Sequence, residues 1–345
     1  MFEGRSIAVV VPAHNEEPHV ADVISSLPEF VDRVYAIDDA SADATWAEIQ
    51  RAASQDDGGG STRLEPRVVP IQHRDNRGAG GAVLTGYRRA LEDGIDVVAV
   101  MDGDGQMDPA DLDRIIIPVV RGDVAYAKGT RLLHRENRAS MSRWRLFGNS
   151  LLTMLTRFAS GYWEMSDPQN GYTAISAEAL AQLPLDDLYD QYGFLNDVLV
   201  HLSLQGHQIA DVSHRGLYGE EKSGIRYRRF VPGLSRLLLR RFVTRLQREY
   251  LVRQFHPLIL CYGIGVLVLL TTTALVAGMF VGRGRRSGNV SSTLVLATLG
   301  MLSIVVGAQA DVEHNGGRVS HYEHALSDER VPATTDVPER IPEHE

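Results

Sequence analysis

Two uncharged stretches, 257–282 and 290–310, constrain this chain more than any other feature. Each is long enough for a helix that crosses the hydrocarbon of a bilayer, which takes roughly 20 apolar residues. Inside lipid the backbone must satisfy its own hydrogen bonds, so each stretch is expected to be helical. Seven residues, 283–289, separate them, and so short a link makes an antiparallel hairpin; a re-entrant hairpin is the alternative to a full span. Whatever precedes residue 257 must then fold as a water-soluble body held at a membrane. With 345 residues in all, there is room for one sizeable domain. The link carries Arg283, Arg285 and Arg286, which argues against placing it on the outer side. Nine arginines between positions 226 and 253, against one acid, Glu249, outweigh it. The expectation is an integral membrane protein whose large domain faces the cytoplasm. The first apolar run, 7–11, is too short for the core of a secretory signal. The lone cysteine, Cys261, excludes an internal disulfide.

Upstream, short Val/Ile-rich runs at 6–11, 33–38, 68–73 and 97–102 read as buried parallel strands. Segments 16–27, 43–53 and 78–92 carry apolar residues at helical spacing, so the rhythm is that of an α/β domain with helices on both faces of its sheet. A less regular part, 125–218, holds an expected helix at 144–160, a strand near 172–175, a helix at 194–205 and a strand at 208–213. Segment 56–61 reads as a flexible loop. From 234 to 255, leucines and phenylalanines alternate with arginines, which suits a helix lying among lipid headgroups, with an ordinary surface helix as the alternative. The organisation expected is a catalytic domain over 1–228, a juxtamembrane helix over 229–256, the hairpin over 257–310 and an acidic tail over 311–345. The tail has nine acids against three arginines and reads as solvated and disordered. Metal capture by its His314, His321, His324 and His344 is the other reading. The net charge of −9 is therefore divided between a basic stretch and an acidic tail, a pattern that does not describe a nucleic-acid surface.

Chemistry-bearing residues gather where the strands should end, the edge at which open α/β sheets bind ligands. The clusters are PAHNEE (12–17), DDASADAT (38–45), RDNRGAGGA (74–82) and DGDGQMDP (102–109). Asp102 and Asp104 flank a glycine directly after a strand. Two carboxylates so spaced can grip one Mg²⁺ or Mn²⁺, with Gln106 adding a neutral oxygen, and such an ion bridges the phosphates of a nucleotide sugar. An acidic turn with no ligand has the same composition. Asp38 and Asp39 are adjacent carboxylates that repel unless a donor-rich ligand, such as a base or ribose, takes them up; the plainer reading is a turn in which Asp43 caps the following helix. Gly78, Gly80 and Gly81 let a backbone approach a phosphate at a helix start, or simply make a turn. No GxxxxGK[ST] run is present, which disfavours a P-loop.

Taken in order, PAHNEE, DDASADAT, RGAGGA, DGDGQMDP, GTR (129–131) and DPQNGYTAIS (167–176) resemble the motif string of family 2 glycosyltransferases, and within it the polyprenyl-phosphate (dolichyl-phosphate) hexosyltransferases. The resemblance covers about residues 6–225 and implies a GT-A fold, a Rossmann-like sheet with the donor at its C-terminal edge, and inversion at the anomeric carbon. It implies that Pro12, His14, Asn15, Glu16, Asp38, Asp39, Asp102 and Gly103 hold the nucleotide, with His14 standing where tyrosine is more usual. Asp102, Asp104 and Gln106 would hold the metal. Arg131 and Arg145 match positions that contact the lipid phosphate, joined by Arg215, Lys222 and Ser223 from HRGLYGEEKS. Asp167, Gln169, Asn170, Gly171 and Tyr172 would shape the acceptor loop. Asp197, in FLNDVL, stands where relatives carry an acidic pair that serves as a base; here the pair reads Asn196–Asp197, so its first acid is missing, and Asp197 reads as a catalytic residue of the acceptor site or as a helix-surface carboxylate.

The partners implied are a nucleotide-sugar donor, a polyprenyl phosphate acceptor and anionic membrane headgroups, with no nucleic acid. A non-processive transferase extending another lipid-linked glycan is a rival, as is a membrane-tethered binding protein on an inactive fold. The intact acids Asp39, Asp102 and Asp104 speak against the second. A nucleotidyltransferase would carry a lysine-bearing glycine loop after the first strand, and PAHNEE is not one. A processive synthase would show a QxxRW motif and more spans.

Overall fold

The protein is described from a computed structural model covering residues 1–56, 64–131, 143–191, 193–214, 227–281 and 290–322. Its centre is an eight-stranded sheet in the order β3-β2-β1-β4-β6-β5-β7-β8. The first half is β1 (Ile7–Ala13), α1 (Val20–Ser26), β2 (Arg33–Asp38), α2 (Thr45–Gln55), β3 (Val68–Gln72), α3 (Gly78–Glu92) and β4 (Val97–Val100). All four strands run parallel. Residues Ile7, Val9, Val11 and Val34 face one buried layer with α1, while Ala8, Val10, Tyr35 and Ile37 face the layer under α3. Strands covered on both faces are apolar throughout, as these runs are. β2 and α3 have the bounds read from the sequence, whereas α1 begins only at Val20.

The second half is α4 (Leu112–Val120), β5 (Tyr126–Thr130), α5 (Arg143–Ser160), β6 (Thr173–Ser176), α6 (Ala177–Gln182), α7 (Phe194–Leu204) and β7 (Ile209–Ser213). β6 runs antiparallel between β4 and β5, the reversal that brings the acceptor-loop motif beside the DGD turn. Neither α4 nor β5 is anticipated by pattern. α4 is only nine residues long with Pro118 inside it, and β5 carries Lys128 in its middle. That lysine is tolerated because Asp211 of β7 pairs with it at 2.9 Å, both side chains being buried.

α8 (Tyr227–Gln247) continues into a π-helix, Arg248–Arg253. Leu234 and Leu238 pack with Leu152 and Ala159 of α5 and Val200 of α7. The helix is thus docked on the catalytic domain, and only part of it is free to meet lipid. Then come α9 (Leu258–Val281) and α10 (Val290–Asn315). At 24 and 26 residues and about 1.5 Å per residue they exceed the roughly 30 Å of hydrocarbon. They lie against each other, Gly265 meeting Gly300 and Ile304, and Ser303 Oγ donates to the Cys261 carbonyl at 2.8 Å.

The expected tail from 311 onward is corrected here. α10 runs on to Asn315, and β8 (Val319–Tyr322) adds to the sheet in parallel with β7. The cause is a buried polar cluster. Asp311 takes both terminal nitrogens of Arg245, at 3.0 and 2.6 Å, and the Tyr250 hydroxyl donates to it. Arg318 reaches Glu249 at 2.9 Å. An acid at the end of α10 is therefore the counter-ion of α8, and polarity alone misassigned it to solvent. Positions 324 and 344 of the tail histidines lie outside the described residues; His314 stacks edge-on near Tyr250, and His321 is in β8.

Candidate active site

The C-terminal ends of β1, β2 and β4 open into one cavity of about 420 Å³. Its walls are Pro12, Ala13, His14 and Glu16 after β1, Asp39 after β2, and Asn76, Gly78, Ala79 and Ala82 at the start of α3. Asp102, Gly103 and Asp104 after β4, with Gln191 before α7, complete it. The loops are held in register by continued ladder bonds: Asp39 N–H donates to Ala13 O at 2.9 Å, and Gly103 N–H to Pro12 O at 3.0 Å.

Asp39 is the best-anchored wall. His73 Nδ1 lies 2.7 Å from its carboxylate and the Arg77 N–H donates to the same oxygen at 2.8 Å. Its neighbour Asp38 turns away from the cavity and is spent inside the fold, accepting from Gln72 Nε2 at 2.9 Å and from the Ser41 N–H at 3.1 Å. The protein's own donors, and not a ligand, thus relieve the repulsion of the pair, and Asp38, expected to face the nucleotide, is not on the cavity wall. Asn15 is likewise structural. It sits at φ +59 and accepts from the Ala42 N–H at 2.8 Å, lacing the first two loops together. Asp43, expected to cap α2, lies one residue before the capping position, which is Ala44, and accepts from the Thr45 N–H at 3.0 Å.

Asp102 is half-buried on the cavity wall, and desolvation, followed by the charge of Asp104, pushes its carboxyl up to about 7, partly opposed by Arg131. Asp102 and Asp104 thus bring two like charges together on the cavity wall, a donor set of the kind that suits a divalent cation. Gly171 of the acceptor loop closes over the turn: a Cβ there would come within 2.8 Å of Asp102 Oδ2. Gln106, expected as a ligand, is not on the cavity wall, and its N–H donates to Asp104 at 3.0 Å. Among the described residues no group of three or more His, Cys, Asp or Glu side chains is arranged for a metal, so any ion here would complete its shell with ligand oxygens.

The loop expected to shape the acceptor side is built on Asp167, buried and held at φ +40. It accepts from Arg131 Nε at 3.0 Å. Although burial opposes ionisation, Arg131 and Lys128 hold its carboxyl below the usual range. Asn170 Nδ2 sits 2.7 Å from His214 Nε2, Tyr172 OH donates to the Asp108 carbonyl at 3.0 Å, and Gln169 Nε2 donates to Asn196 at 2.7 Å. These contacts fold 167–172 into a floor beside Asp102.

Asp197 is not available as a base. Fully buried, it receives Arg241 Nε at 2.5 Å and Nη2 at 2.8 Å, and accepts the Tyr189 N–H at 3.0 Å. The glycine-rich start of α3 also differs from expectation. Gly81 N–H donates to Asp190 O at 3.0 Å, and a Cβ on Gly80 would fall 2.6 Å from that oxygen. These glycines admit a protein loop, not a phosphate; Gly78 alone of the three lines the cavity. Arg145 falls in α5, but its side chain lies outside the described residues, as do Arg215, Lys222 and Ser223. Asn76 and Gln191 were missed by sequence reading. Asn76 lies within the RDNRGAGGA cluster and was legible there; Gln191 has no motif around it.

The model of glycosyl transferase family 2 matches residues 8–183, and the chain belongs to that family. It is a glycosyltransferase on a GT-A sheet that uses a nucleotide sugar. One relative, 28% identical over 63% of this chain and 87% of its own, is a UDP-N-acetylglucosamine–dolichyl-phosphate N-acetylglucosaminyltransferase of Methanococcus voltae. Another, 27% identical over 60% of this chain and 81% of its own, is an undecaprenyl-phosphate mannosyltransferase of Micrococcus luteus. Among solved structures, glucosyl-3-phosphoglycerate synthase from Mycobacterium tuberculosis in complex with UDP is similar at TM-score 0.49 and 22% identity, covering 70% of this chain and 80% of that one.

Proposed function

We propose that the protein transfers a hexose, with inversion, from a UDP- or GDP-linked donor to a polyprenyl phosphate at the membrane surface. The observation that carries this reading is the convergence of Asp39, Asp102 and Asp104 on one cavity, in a domain joined on both sides to an apolar hairpin. Pro12, His14, Glu16 and Asp39 would frame the nucleoside. Asp102 and Asp104 would hold Mg²⁺ or Mn²⁺, a fit supported by the raised carboxyl of Asp102. When bound, that ion offsets the charge of the departing diphosphate.

A phosphate monoester carries roughly −1.5 to −2 charge near neutral pH, so the acceptor attacks without a strong base. This agrees with Asp197 being consumed by Arg241. What the chain must supply is alignment. Asp167 orients Arg131 toward the space beside Asp102, where its planar fork suits a phosphate. Arg145, Arg215, Lys222 and Ser223 are proposed to complete the clamp. The exposed Leu239, Val243, Leu251, Val252 and Phe255, among Arg236, Arg240, Arg248 and Arg253, support seating in anionic headgroups. Their excess of positive charge supports a cytoplasmic catalytic domain.

The test incubates membranes holding the full chain with radiolabelled UDP-glucose, UDP-N-acetylglucosamine or GDP-mannose and a polyprenyl phosphate. A charged labelled lipid that disappears in Asp104→Ala is the expected product. Label in protein or free glycan instead, with no lipid product, would overturn the acceptor assignment.

A further inference from the structure

Between the donor cavity and the juxtamembrane helix lies a turn around Asp190 and Gln191 that touches both. On its cavity side, Asp190 O accepts from the Gly81 N–H of α3. Gln191 lines the cavity and its Nε2 donates to Arg77 O at 3.2 Å. Arg77 in turn donates its N–H to Asp39, the anchored carboxylate of the donor wall. On the membrane side, a Cβ at Gly193 would press within 2.9 Å of Leu237 and 3.1 Å of Leu234, both on α8. The Tyr189 N–H is held by Asp197, and Asp197 is gripped bidentately by Arg241 of α8. A continuous path thus runs from Arg241 through Asp197 and this turn to Arg77 and Asp39.

We propose that Arg241 is a positioning residue for the donor: by clamping Asp197 it sets the Asp190–Gln191 wall, so that nucleotide affinity depends on the docking of the helix that enters the membrane. The inference rests on the donor reading of the cavity. Bidentate geometry is what the clamp requires, since one guanidinium fixes both carboxylate oxygens while the Tyr189 N–H shares one of them. Two rival roles lead to different outcomes. An arginine serving the lipid phosphate would alter acceptor affinity, and an arginine serving only the fold would alter only the melting temperature.

The experiment measures binding of UDP and of GDP, each with Mg²⁺, to the full chain in nanodiscs by calorimetry, beside its melting temperature and its KM for polyprenyl phosphate. Arg241→Ala and Asp197→Asn are expected to weaken nucleotide binding at least about tenfold while leaving the acceptor KM within about twofold. Arg241→Lys, a single point charge, should recover part of that loss, and Arg51→Ala, at a distant exposed pair, should bind as wild type. If Arg241→Ala does not fold, Gln191→Ala replaces it, with nucleotide binding expected to weaken at an unchanged melting temperature. Unchanged nucleotide affinity in the folded variants, or a loss confined to the acceptor KM, overturns the proposal alone. A wild-type chain that binds neither nucleotide overturns the donor reading as well.

Discussion

At the scale of single residues, the site is organised by what each carboxylate is given to hold. Asp38 and Asp197 are spent on protein donors, and Asp39 is anchored but still walls the cavity. Asp102 is partly desolvated and stands beside the like charge of Asp104, which is why its carboxyl rises to about 7. A group raised in the folded state binds its proton more tightly there, so the unliganded protein loses stability as pH climbs from the ordinary carboxylate range toward about 7. A cation must displace that proton. Mn²⁺ affinity, measured by calorimetry with UDP present, should therefore rise by up to about tenfold per pH unit below neutrality and level off above it. Affinity that is flat from pH 5.5 to 8 would show that Asp102 is already ionised. Asp104→Ala would remove both the proposed metal ligand and the repulsion, and transfer is expected to fall by at least about a hundredfold.

At the scale of elements, α8 does two jobs with one sequence. Its inner face, Leu234, Leu238 and Leu246, is buried, while its outer face keeps Leu239, Arg240 and Val243 in the open. Leu238→Ala is expected to cost about 2–5 kcal/mol, read by denaturant titration, because α5 and α7 close around it. Leu239→Ala should cost almost nothing in detergent yet weaken vesicle binding, since its side chain is 64% exposed in the fold. If the two substitutions behaved alike, the division of the helix into a docking face and a lipid face would be wrong.

At the scale of the molecule, the hairpin is spliced into the catalytic domain. The chain leaves through α8, runs through two long apolar helices and returns to place β8 on the sheet edge, pinned by Arg245 and Asp311, both 0% exposed. Breaking one partner of a buried pair costs about 3–5 kcal/mol, so Asp311→Ala should markedly lower the melting temperature. A chain ending after Tyr322 should keep its stability, and one ending after Asn315 should lose much of it. Equal melting of the two truncations would argue that β8 is dispensable.

The first half of the sheet and the acidic turns of the site were legible in the chain itself. Strands buried on both faces must be apolar throughout, and a ligand-binding edge collects its carboxylates directly after such strands, so local order along the chain carries both signals. The hairpin was legible because lipid admits few backbone solutions. What tertiary structure alone decided was which charges are spent. Nothing near FLNDVL in sequence reveals that Arg241, 44 residues on, consumes Asp197. Nothing in an acidic stretch after an apolar run reveals that Asp311 neutralises Arg245 and that four later residues complete a sheet. A charge declares its type in sequence, but whether it faces water, a ligand or a counter-ion depends on what the fold brings against it. That meeting is non-local.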